Sequence, residues 1–160
     1  MSDFSLCLSH IELNVSDYRR SILFYDRVLC PFGWSRLVCT RDFTSYSNGK
    51  SKIILCPTDP IFAPAGFHRK RTGLNHLALY AKDKEHVDRF YSETLVAHKI
   101  PTLYEEGPSG DADYYAVHFE DPDRMKIEVV YAPHYCDPKR WPNCLESDFD
   151  PYAPPLEQTE

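Results

Sequence analysis

The stretch GLNHLALYAKDKEHVDRFYSETL, residues 73–95, repeats the pattern of CLSHIELNVSDYRRSILFYDRVL, residues 7–29. At an offset of 66, Leu8 pairs with Leu74, His10 with His76, Leu13 with Leu79, Asp17 with Asp83, Phe24 with Phe90, Tyr25 with Tyr91 and Leu29 with Leu95. Further on, an offset of 74 pairs Lys52-Ile53-Ile54-Leu55 with Lys126-Ile127-Glu128-Val129, so one eight-residue loop insertion separates the two stretches of the match. A chain that contains one unit twice must fold both copies alike, and this restricts its architecture more than any other feature.

Each copy reads in the same order. Residues 6–15 and 74–81 are short apolar stretches with β character, and each opens a strand. Ser16 before Asp17 offers a helix N-cap with an acid in the first turn. Tyr18, Ile22, Tyr25 and Leu29 fall on one helical stripe, as do Val87, Phe90, Tyr91 and Leu95 in the second copy. Pro31-Phe32-Gly33 stops the first helix. Three strands follow at 34–40, 43–47 and 51–56, with Asn48-Gly49 as a hairpin turn. Their counterparts are predicted at 99–105, 113–120 and 125–131, with Asp121-Pro122-Asp123 as the last turn.

The expected fold class is therefore α+β. Two βαβββ modules, 6–56 and 74–132, make one domain over 6–132, with a curved mixed sheet around a cup. Pro57, Pro60, Pro64 and Gly66 break regular structure in the joint, 57–72. The extension over 133–160 is rich in proline and acid and is expected to drape over the body, with Trp141 and Phe149 as anchors.

Composition narrows the partners. No apolar run approaches the ~20 residues that span a bilayer, and MSDFSLCLSHIE lacks the basic start and apolar core of a secretory signal. A cytoplasmic setting is expected. The net charge of −6 speaks against nucleic acid or an anionic membrane as partner. The basic run His68-Arg69-Lys70-Arg71 reads as a solvated loop, with an anion contact as the other option. Cys7, Cys30, Cys39, Cys56, Cys136 and Cys144 show no paired spacing and read as reduced thiols, several of them in the core.

The doubled histidine carries the chemistry. Across a pseudo-twofold axis His10 would face His76, and on the last strands Ile54 would face Glu128. Two imidazoles and one carboxylate form a face of a divalent metal site that leaves positions open for substrate, and strands hold such ligands rigidly. A Lys126–Glu128 pair on a solvent face is the competing account of that strand. Glu12, two residues past His10, shares its face. It is a candidate base, or a glutamate at an exposed strand end. Tyr104, Tyr114 and Tyr115 are candidate pocket walls or core and dimer contacts.

HIELNVSDYRRSILFYDRVL, GLNHLALYAKD and YYAVHFEDPDRMKIEVVYAP resemble the vicinal oxygen chelate superfamily over about residues 6–132. That superfamily holds glyoxalase I, extradiol dioxygenases, fosfomycin-resistance enzymes, methylmalonyl-CoA epimerase and the metal-free bleomycin-resistance proteins. The resemblance implies one divalent metal, Fe(II), Mn, Ni or Zn, on His10, His76 and Glu128. It also implies a small substrate chelated through vicinal oxygens, lyase, isomerase or dioxygenase-like chemistry, and a homodimer whose sites form within a chain or between chains. The alternative it offers is a metal-free protein that sequesters a small molecule.

Departures refine this. Glyoxalase I-like enzymes place a fourth ligand, usually glutamate, where this chain has Ile54. Extradiol dioxygenases have tyrosine ten residues before the glutamate, where His118 stands, and a further upstream histidine that is missing here. His118 is a candidate catalytic acid/base, or a plain strand residue. Fosfomycin-modifying enzymes need additional cationic groups that this chain does not match.

Overall fold

The structure, a computed structural model, describes residues 6–140. The first module runs β1 (His10–Val15), α1 (Tyr18–Leu29), β2 (Ser35–Cys39), β3 (Thr44–Ser47) and β4 (Lys52–Pro57). The second runs β5 (His76–Tyr80), α2 (Lys84–Phe90), β6 (Ser109–Gly110), β7 (Tyr115–Glu120) and β8 (Lys126–Tyr131), with a π-helical turn, Tyr91–Val96, extending α2. The two βαβββ modules are present as expected, but in place of one curved sheet the described residues form two separate four-stranded mixed sheets, ordered β1-β4-β3-β2 and β5-β8-β7-β6.

In each half the first strand pairs parallel to the last, and the register repeats as well as the topology. His10 stands opposite Lys52, and His76 opposite Lys126. The repeated aspartates have a local purpose. Asp17 caps α1 by accepting the Arg20 amide at 3.0 Å, and Asp83 caps α2 by accepting the His86 amide at 2.9 Å. Asp17, not Ser16, is thus the N-cap. Ser16 instead gives both its amide and its hydroxyl to Asp123, tying the first module to the last turn of the second.

One core serves both modules. Leu13, Val15, Tyr46, Ile53 and Leu55 of the first sheet join Leu77, Val117, Phe119, Ile127 and Val129 of the second around the buried faces of both helices. Phe119 touches both helices, with ring centroids 6.2 Å from Phe24 and 5.4 Å from Phe90. Truncating such a ring to alanine costs roughly 3–5 kcal/mol. Tyr25 donates to buried Asp121 at 3.1 Å, a second bond between the modules.

By strand alternation the opposite faces carry His10, Glu12, Ile54 and Cys56 on one sheet and His76, Glu128 and His118 on the other. These faces point away from the shared core.

The expected strand over 99–105 does not form. Pro101 lacks a donor, and Lys99 and Tyr104 take positive φ of 56° and 71°. The chain there keeps only a Thr102–Phe119 bridge and the Leu103 amide bond to His118, and Ser109–Gly110 provides the edge strand instead. The Asn48-Gly49 hairpin turn is present, with Gly49 at φ 83° and Asn48 accepting the amides of Lys50 and Ser51.

The basic run also differs from a solvated loop. Arg69 pairs with Glu120 at 2.6 Å, and Arg71 donates to the carbonyls of Ala65 and Gly66, so the run clamps the joint. The described cysteines are free thiols, but none is a core residue; Cys56 is half-buried and the rest are exposed. Cys144, Trp141 and Phe149 lie outside the described residues. The start of the extension packs against the second sheet, with Tyr135 beside Tyr114 and Cys136 bonded to Tyr80 at 2.9 Å. Among the described residues no helix is long and apolar enough to cross a membrane.

Candidate metal centre

Glu128 is the most telling residue of the second sheet, because a carboxylate only 2% exposed must be satisfied by its neighbours. Tyr114 donates its hydroxyl to Oε1. Oε2 faces two imidazoles, His76 Nε2 at 3.4 Å and His118 Nε2 at 3.5 Å. Lys126 makes no ion pair with it, so the competing Lys–Glu account does not describe this strand. Burial pushes the Glu128 carboxyl up. The hydrogen bonds from His118 and Tyr114 and the two nearby imidazoles outweigh this and hold it below the ordinary glutamate value.

The other ring nitrogen of each repeated histidine has its own partner. His76 Nδ1 lies 2.9 Å from Asn75 Oδ1, and His10 Nδ1 lies 3.3 Å from Ser9 Oγ. An amide oxygen can only accept, so Nδ1 of His76 carries the hydrogen, and the neutral ring has its lone pair on Nε2. That lone pair looks at the Glu128 oxygen. Burial, helped by Lys126 and His118 against the pull of Glu128, lowers the His76 pKa and favours this neutral form.

Two acceptors 3.4 Å apart call for a cation between them, and the pattern of an outer partner on Nδ1 is the one that orients metal-bound histidines. The donor set therefore fits two ligands of a divalent metal. It does not reach three within one chain. Among the described residues no group of three His, Cys, Asp or Glu side chains stands in metal-holding geometry. His10, exposed on the first sheet, makes no bond or ion pair with His76, Glu128 or His118.

Glu12 shares the His10 face and accepts a hydrogen bond from the Cys56 thiol at 3.0 Å. Burial and the Glu12 carboxylate push that thiol up to about 11. Tyr114 belongs to the candidate centre. Tyr104 packs edge-on against His118 with centroids 5.5 Å apart. Tyr115 does not belong to it; its hydroxyl binds Asp88 of α2 at 2.8 Å, on the core side of β7. Residue typing missed the outer partners Asn75 and Ser9. A polar residue directly before each repeated histidine was the available signal.

A hollow of about 450 Å³, lined by Phe32, Trp34, Leu79, Lys82, Phe90 and Val129, opens on the opposite, helix-bearing face of β5 and β8. It is separate from the histidine cluster.

Two βαβββ modules with metal-ligand residue types on matching strands define a protein of the glyoxalase type. The Glyoxalase/Bleomycin resistance protein/Dioxygenase superfamily model matches residues 8–129, and the chain belongs to that superfamily. It is 34% identical over 125 residues to the uncharacterized protein YqjT of Bacillus subtilis, spanning 77% of this chain and 97% of that one. A crystal structure of a candidate glyoxalase from Bacillus halodurans is 39% identical with a TM-score of 0.71, covering 78% of this chain and 94% of that one. The lactoylglutathione lyase of Agrobacterium tumefaciens shares the fold at 21% identity, with a TM-score of 0.58 and coverage of 78% and 92%.

Proposed function

We propose that this protein is a divalent-metal-dependent enzyme acting on a small substrate chelated through two vicinal oxygens. Each metal is held by His76 and Glu128 of one chain and His10 of the partner subunit. The observation that supports this is the His76–Glu128 pair, two acceptors aimed at one point, with Asn75 and Tyr114 fixing them from behind. The exposed His10 face, with Leu6 and Leu8 88% and 65% exposed beside it, supports pairing of two chains.

A bound cation supplies Lewis-acid polarisation of the chelated oxygens. Glu12 takes the substrate proton, since it projects from the same face as His10 and its carboxylate is held by the Cys56 thiol. His118, beside Glu128, returns a proton to the product. Two imidazoles and a carboxylate accept Fe(II), Mn(II), Ni(II) or Zn(II). The proposal covers lyase, isomerase and oxidoreductase chemistry.

Metal analysis after reconstitution with each of these ions tests the reading. About one equivalent per chain is expected, lost in His76→Ala. Less than about a tenth of an equivalent with every ion would overturn it and favour a metal-free binding protein.

A further inference from the structure

Lys126 occupies an unusual electrostatic position. It lies on β8 two residues before Glu128, so both side chains rise from the same face. Its partners across the ladder are His76 on β5 and Glu120 on β7. Glu120 would be the natural counter-ion, but both of its oxygens are taken, Oε1 by Arg69 at 2.6 Å and Oε2 by Arg124 at 3.3 Å. Glu128 is engaged by the Tyr114 hydroxyl and by His118. Lys126, a half-buried residue, holds its ammonium over the ring of Tyr104, 5.8 Å from the centroid.

The residues that create this situation sit at a backbone cost. Tyr104, beneath the ammonium, has φ 71°, and Arg124, which takes Glu120 away, has φ 68°. Left-handed conformations are unfavourable for a non-glycine residue, and such strain clusters at ligand sites.

We infer that Lys126 anchors a carboxylate on the substrate, so that the molecules this site takes are vicinal-oxygen chelators with an added carboxylate. The inference rests on the proposed metal chelation for the first half of that description only. This row offers one uncompensated positive charge, which matches a monoanionic carboxylate better than a phosphate dianion. The Tyr104 ring beside it, 71% exposed, gives a flat surface for the substrate's body.

The test compares 3,4-dihydroxybenzoate with its methyl ester, which keeps the vicinal oxygens and loses the charge. On Mn(II)-loaded protein, calorimetry is expected to show about tenfold tighter binding of the acid. Lys126→Gln should bring the two within about twofold while leaving the ester unchanged, and Lys126→Arg should retain most of the preference. On metal-free protein, benzoate should shift the amide resonances of Lys126 and Tyr104 in the wild type and not in Lys126→Gln.

An acid-over-ester preference that survives Lys126→Gln would overturn the inference, as would benzoate shifts that are absent or independent of Lys126. If benzoate responds through Lys126 but neither catechol binds the Mn(II)-loaded protein, the anchor stands and the chelation reading falls.

Discussion

Glu12 stands directly opposite Ile54 across the parallel β1–β4 pair. In the second module the matching pair is Ala78 and Glu128, with the acid on the other strand. Each module therefore places one carboxylate in the same row of its sheet, but the first has moved it from the last strand to the first strand. Ile54 is apolar where the second module has Glu128, and Glu12 puts an acid back one strand over.

If Glu12 is a base and not a ligand, Glu12→Gln should leave metal content unchanged. With any substrate that turns over, kcat should fall about 10²- to 10⁴-fold. Metal analysis and steady-state kinetics on the same preparation check this. Loss of the metal itself would make Glu12 a ligand.

Site sharing between chains predicts complementation. His10→Ala and His76→Ala should each bind no metal alone. Refolded together, they form mixed dimers in which one of the two sites regains its full ligand set, so about a quarter of wild-type metal capacity returns. Titration of the mixed sample reads this directly. No recovery would mean that the ligands come from one chain.

Asn75 and Tyr114 hold the ligands in place through the Nδ1 hydrogen and the Oε1 oxygen. Asn75→Ala and Tyr114→Phe should each weaken metal affinity about 10- to 100-fold with stoichiometry retained, as removal of outer partners commonly does. Competition against a metal-sensitive chelator measures the affinity; unchanged values would assign both bonds to packing alone.

Asp121 gives the module junction a pH dependence. Burial pushes its carboxyl up to about 6, against the hydrogen bonds it accepts from the Met125 amide, Tyr25 and the Asp123 amide. An unfolded aspartate titrates near 3.9, so the folded state binds this proton more tightly. The contribution is fully present below about pH 4 and is lost as pH rises through about 6. Relative to Asp121→Asn, the wild type should lose on the order of 2–3 kcal/mol between pH 4 and pH 7. Urea unfolding of both proteins across that range tests it, and parallel stability curves would contradict it.

Much of the fold was legible because its signals are local and doubled. The Asp17–Asp83 match, the helical stripes and the Asn48-Gly49 turn each report on a few neighbouring residues, and the second copy confirmed what one alone would leave ambiguous. The strand over 99–105 misled for a matching reason. Its apolar residues suggest β structure, but Pro101 and the positive φ at Lys99 and Tyr104 commit the chain to a turn-rich path. Ser16 resembles a cap in the local sequence because its actual partner, Asp123, is 107 residues away.

By itself the sequence determined the unit, its duplication, and the residue types available on equivalent strands, since strand periodicity and capping act over a handful of positions. Tertiary structure alone decided which of those residues meet. It buried Glu128 beside two imidazoles, sent Tyr115 to the core side, gave Glu120 to two arginines and gave His10 no bond or ion pair with His76 within one chain. Such meetings depend on how two sheets share one core and on which charges are satisfied by distant partners. Those are sums over the whole molecule, which no local pattern encodes.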